Sequence, residues 1–144
     1  MAKNFLINGD SKNSLSPFDR GLAFGDGVFR TFLVKDGNPI NWKNQYQKLS
    51  QDLKAIDIKS PSKKTLLTEI QKLFPAKGIF ISKIIVTRGE SQTGYDFNEG
   101  IKPTRILLKI DFVKFLSLIH LLNVFLVNLA FNKANGILFF FNLL

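Results

Sequence analysis

Ser16-Pro-Phe-Asp-Arg-Gly-Leu-Ala-Phe-Gly-Asp-Gly-Val-Phe-Arg-Thr31 carries more structural information than any other part of the chain. It holds a turn-forming Ser-Pro, an Asp19/Arg20 pair and three glycines, Gly21, Gly25 and Gly27. Glycines this close together allow left-handed backbone and close approach of chain segments. Two readings are open on these residues alone: a tight loop that faces a ligand or another segment, or an ordinary turn before a strand. The strand itself is plain, because Val28-Phe-Arg-Thr-Phe-Leu-Val34 is rich in β-branched and aromatic residues.

Outward from this block the elements follow from periodicity. Phe5-Leu-Ile7 reads as a short strand, closed by a turn at Asn8-Gly9-Asp10. The strand from Gly27 to Lys35 meets hairpin chemistry in Asp36-Gly37-Asn38-Pro39. Trp42, Tyr46, Leu49, Leu53 and Ile56 then recur at helical spacing, with Asn41 placed to cap the helix. Ser60-Pro61-Ser62 breaks it, and Ser62 is placed to cap a second helix. That helix turns Leu66, Leu67, Ile70 and Leu73 inward and Lys63, Glu69 and Lys72 outward. It ends by Pro75 to Gly78. Residues 78–87 and 104–112 read as strands, joined by the glycine-bearing loop 88–97. The order implies an α+β domain of two helices packed on one face of a mainly antiparallel sheet, over residues 1–112. Residues 113–144 lose this grammar and form an irregular hydrophobic tail that ends Phe139-Phe-Phe-Asn-Leu-Leu144.

Composition narrows the function classes. With 144 residues the chain suits one domain, and with no cysteine it can form neither a disulfide nor a thiolate site. The net charge of +9 is spread over scattered lysines, so no nucleic-acid-binding stripe is expected. The N-terminus is polar again by Asn8 and does not read as a secretory signal. The run from Phe115 to Phe131 is short for a membrane span, and Ser117, His120, Asn123 and Asn128 interrupt it, which argues against membrane association. A cytoplasmic location is expected. His120, the single histidine, lies in that apolar run without a carboxylate neighbour, and no metal-ligand spacing, nucleophile elbow or phosphate loop is present. Arg88 ends a strand before Gly89, where its guanidinium either grips a substrate carboxylate or pairs with Glu90 or Asp96. Lys48 on the first helix is a surface lysine on its pattern alone.

DRGLAFGDGVFRT, with Thr87-Arg-Gly-Glu-Ser-Gln-Thr-Gly-Tyr95 and Thr104-Arg-Ile-Leu107, resembles the class IV (fold type IV) pyridoxal-phosphate aminotransferase family. The RG…GY form of the second segment is most similar to its aminodeoxychorismate lyase branch. The resemblance covers the first ~112 residues and implies the small N-terminal domain of these enzymes. It implies pyridoxal 5'-phosphate as cofactor, a homodimer, and a small-molecule substrate: 4-amino-4-deoxychorismate, split to 4-aminobenzoate and pyruvate in folate biosynthesis. Phe24 and Arg88 would then be substrate-binding. Lys48 would be cofactor-binding, in the place of a family arginine that holds the phosphate, with Gln45-Tyr-Gln-Lys-Leu49 where the family reads His-x-x-Arg-Leu. The family's Schiff-base lysine position falls on Leu138, and Lys133 lies on the wrong side of Gly136-Ile137 to replace it. No catalytic residue is therefore assigned, and the expectation is an inactive, truncated or frameshifted version without the cofactor domain. Two alternatives stay open: a class IV D- or branched-chain amino-acid aminotransferase fragment, and a non-enzymatic domain with a hydrophobic anchor or interaction tail.

Overall fold

The computed structural model describes residues 4–92 and 100–112. The chain divides into two compact units, Met1–Ile110 and Asp111–Leu144. Beyond Phe112 the second unit lies outside the described residues, and so do the expectations placed on His120, Lys133, Leu138 and the hydrophobic tail.

The first unit holds strands β1 (Phe5–Ile7), β2 (Gly27–Lys35), β3 (Asn38–Pro39), β4 (Ile79–Thr87) and β5 (Thr104–Asp111). Its helices are α1 (Arg20–Phe24), α2 (Trp42–Ala55) and α3 (Lys63–Leu73). The strands form one sheet in the order β1-β5-β4-β2-β3. β1 with β5, β2 with β3, and β2 with β4 all run antiparallel. The β2–β4 ladder is unbroken from Gly27 opposite Thr87 to Lys35 opposite Ile79. Two turns carry positive φ at both central residues, Asn8-Gly9 and Asp36-Gly37. This is the geometry that matches the twist of a two-residue hairpin.

Alternation along the strands sends Leu6, Phe32, Val34, Ile84, Val86 and Leu107 into one core, where they meet Leu49 and Leu53 of α2 and Leu66, Ile70 and Leu73 of α3. Trp42 packs between Phe32 and Tyr46, with ring centroids 5.7 and 5.9 Å away. The expected α+β architecture is present.

Four details differ from the sequence reading. A one-and-a-half-turn helix, α1, occupies the glycine block where a turn was expected. Ile56 is the C-cap of α2 and is exposed, and Ile58 takes the buried place after the chain turns at Asp57. Asn41 sits at the N-cap in left-handed conformation but makes no side-chain cap bond, whereas Ser62 Oγ accepts from Thr65 N as expected. Glu69, assigned to the wet side of α3, is buried. Its Oε1 accepts from Arg105 Nη2 at 2.8 Å and from Nε at 3.1 Å, an ion pair that compensates the burial.

Candidate functional site

The glycine block and the end of β4 are built into each other. Asp19 is 1 % exposed; one of its oxygens accepts from Gly21 N at 2.9 Å and the other from Thr87 Oγ1 at 2.9 Å. The first bond caps α1, and the second ties that cap to β4. Backbone bonds continue the seam: Arg20 N to Gly89 O at 2.8 Å, Ser91 N to Phe18 O at 3.1 Å, and Arg88 N to Asp26 O at 3.1 Å. Close approach explains two glycines. A Cβ on Gly21 would collide with Thr87 Cγ2, and one on Gly89, at φ 109°, would collide with the carbonyl of Lys102.

Asp26 is the electrostatic centre of this seam. Its Oδ2 accepts from Arg20 Nε at 2.9 Å and from Arg88 Nε at 2.8 Å, and its Oδ1 from Arg88 Nη2 at 3.2 Å. Burial pushes the Asp26 carboxyl up, but the hydrogen bonds and positive charges of Arg88 and Arg20 outweigh it. The group is held below its ordinary value. Arg88 also donates to the carbonyls of Ile56 at 2.7 Å and Asp57 at 3.0 Å. The guanidinium thus joins the glycine block, β4 and the end of α2. Among the described residues its acidic partner is Asp26 rather than the Glu90 weighed from sequence; Asp96, the other residue weighed, lies outside the described residues.

Of the other two candidate residues, Phe24 borders this seam and Lys48 lies on another element. Phe24 ends α1 half-exposed, with the Arg20 guanidinium carbon 4.9 Å from its ring centroid. Beside it a cavity of about 330 Å³ opens over Leu22, Gly25, Val28, Phe29, Ile85 and Ile106, a mainly apolar wall. Lys48 lies on α2 with its side chain 55 % exposed and its Nζ 2.7 Å from Asp52 Oδ1. Arg30 of β2 reaches the same helix face: its Nη2 donates to Gln45 Oε1 at 3.4 Å, and its Nη1 is 4.0 Å from Asp52 Oδ2. Sequence reading paired Asp19 with Arg20 and missed the Asp19–Thr87 and Asp26–Arg88 links. Each joins residues more than 60 positions apart, for which one sequence gives no local signal.

No protein-family model matches the chain. Among curated proteins, 110 residues are 30% identical to a provisionally named branched-chain-amino-acid aminotransferase of Methanocaldococcus jannaschii, over 74% of this chain and 37% of the relative. Another 95-residue match is 32% identical to the aminodeoxychorismate lyase of Bacillus subtilis, over 62% and 32%. Among solved structures, the 4-amino-4-deoxychorismate lyase of Pseudomonas aeruginosa superposes with a TM-score of 0.67 at 33% identity, covering 74% of this chain and 39% of that one.

The chain has the fold of the class IV aminotransferases and aminodeoxychorismate lyases. The branched-chain aminotransferase of Escherichia coli shares this class IV fold at TM-score 0.64 and 17% identity, over 78% of this chain and 40% of that one. So does a hypothetical aminotransferase from Mycobacterium tuberculosis in its PLP-bound form, at 0.56 and 23%, over 69% and 34%. The described residues match the small N-terminal domain of this fold. The chain spans about a third of the length of the curated relatives it matches. Among the described residues no helix is long and apolar enough to cross a membrane, and no His/Cys/Asp/Glu group could hold a metal ion.

Proposed function

We propose that this chain is the N-terminal domain of a pyridoxal-phosphate-dependent lyase that releases 4-aminobenzoate and pyruvate from 4-amino-4-deoxychorismate, a cytoplasmic step of folate biosynthesis. The supporting observation is the 33% identity to the Pseudomonas aeruginosa lyase, set against 17% to the Escherichia coli branched-chain aminotransferase at a similar TM-score. A donor on α2 suits the cofactor's phosphate: the half-exposed ammonium of Lys48. Pyridoxal 5'-phosphate, when bound, supplies the electron sink for bond cleavage at the substrate.

In this reading Lys48 neutralises the phosphate as a point charge, where a guanidinium would grip it as a fork. Phe24 and the loop Gly25–Gly27 form the substrate-facing edge of the domain. Arg88 serves the substrate by holding that loop through Asp26. A second copy of the chain completes the site, as in a homodimer.

A second reading, a branched-chain aminotransferase, is favoured by the 110-residue match to the Methanocaldococcus jannaschii protein. A chimera separates the two. Residues 4–112 replace the matching segment of the Bacillus subtilis lyase, and the product is supplied with pyridoxal phosphate. Pyruvate release from 4-amino-4-deoxychorismate supports the lyase reading. Amino transfer from a branched-chain amino acid without pyruvate release supports the second reading, and a folded chimera with neither activity counts against both.

A further inference from the structure

We propose that Arg30 is a second phosphate-binding residue, supplying from β2 the guanidinium fork that α2 lacks at Lys48; this rests on the reading of Lys48 as the phosphate contact. Gln45, Lys48 and Asp52 lie on one face of α2, three and four residues apart. Arg30 approaches that face from β2 and is about as exposed as Asp52, 31% against 30%. One carboxylate, Asp52, therefore stands between two cations, and the cluster holds a surplus positive charge.

The state of the Arg30 fork sets it apart from the chain's other arginines. Arg20, Arg88 and Arg105 each hold a carboxylate oxygen at 2.9 Å or less. The nearest carboxylate oxygen to Arg30 is 4.0 Å away, its bond to Gln45 is long at 3.4 Å, and its Nε has no partner. A guanidinium has five N–H donors in a rigid plane, and this one uses a single weak bond. Two parallel N–H groups of such a fork match two phosphate oxygens, and Lys48 adds the compact charge beside them. Asp52 opposes the site, because it competes for both cations. Its removal therefore has the opposite sign to the removal of Arg30.

The test is calorimetric titration of the full chain with inorganic phosphate, with pyridoxal phosphate and with pyridoxal, which lacks the phosphate. Arg30→Met weakens binding of phosphate and pyridoxal phosphate by about tenfold, the scale of one charged hydrogen-bonded contact, and leaves pyridoxal unchanged. Arg30→Lys recovers only part, and Asp52→Asn strengthens both phosphate-bearing probes. If Arg30→Met does not fold by circular dichroism, the Asp52→Asn result decides. The proposal is overturned if the wild-type chain binds no phosphate, if folded Arg30→Met binds it as the wild type does, or if Asp52→Asn gives no gain. Pyridoxal phosphate bound through Lys48 alone would sink the Arg30 assignment and leave the cofactor reading standing. Arg30-dependent phosphate binding, with pyridoxal phosphate bound no tighter than phosphate, would keep the anion site and sink the cofactor reading.

Discussion

At the scale of single residues, Asp26 is a mostly buried carboxylate under two guanidinium groups, with side chains 16, 5 and 11% exposed for Asp26, Arg20 and Arg88. Removing one partner of such a buried cluster costs more than the cluster contributes net, because the remaining charges lose the group that balanced them. Asp26→Asn is expected to destabilise the fold by about 3 kcal/mol, read from urea denaturation at neutral pH. The pH dependence has a definite sign. The folded-state pKa of Asp26 lies below its ordinary value of 3.8. Its contribution is therefore full above about pH 4 and is lost as pH falls through the lowered folded value. In a series of melts from pH 6 to pH 2, Asp26→Asn should flatten the acid limb. Gly21 gives a purely steric counterpart. Gly21→Ala forces a methyl against Thr87 Cγ2 and should cost about 1–3 kcal/mol. Adding Thr87→Ser removes that methyl, keeps the hydroxyl for Asp19, and should return part of the loss in a double-mutant cycle.

At the scale of elements, the two long helices begin differently. Ser62 caps α3 through Oγ, so Ser62→Ala should cost about 1 kcal/mol in chemical denaturation. Asn41 gives α2 no such bond and holds φ at 54°, so Asn41→Gly should change stability by no more than about 0.5 kcal/mol, on the side of gain if αL strain is relieved. Both positions look like caps in the sequence; only dihedral angles tell them apart. The same limit explains the other differences. Strands β2, β4 and β5 were legible because β-branched and other apolar residues crowd eight or nine positions in a row, and helices α2 and α3 because their apolar residues recur at helical spacing. Helix α1 spans five residues and contains a glycine, too short for any period to register. Glu69 falls at a polar helical position, yet its partner Arg105 arrives on another element 36 residues later. The block Asp19–Thr31 was recognisable as a motif, but its purpose within the domain, a seam onto Thr87–Gly89, depends on contacts that only the fold supplies.

At the scale of the whole molecule, the described unit is organised about the long β2–β4 ladder, with β3 only two residues long at one edge and β1 three at the other. Amide exchange should follow this: slowest at Phe32, Val34, Ile84 and Val86, buried between sheet and helices, and fastest along β3 and the edge of β1. Mass-resolved exchange that finds β3 as protected as β4 would contradict it. The ladder also sets an order of events. Its Lys35–Ile79 end joins the residues nearest in sequence and so closes the shorter loop; its Gly27–Thr87 end closes the longer one. Pairing that starts at the short-loop end reaches Asp26 and Arg88 last. The ion pair that shapes the glycine block then acts as a latch thrown after the barrier has been crossed. Asp26→Asn should hasten unfolding by about a hundredfold in stopped-flow measurements, the kinetic equivalent of about 3 kcal/mol, while leaving the folding rate nearly unchanged, so what this carboxylate chiefly governs is how long the finished loop stays shut.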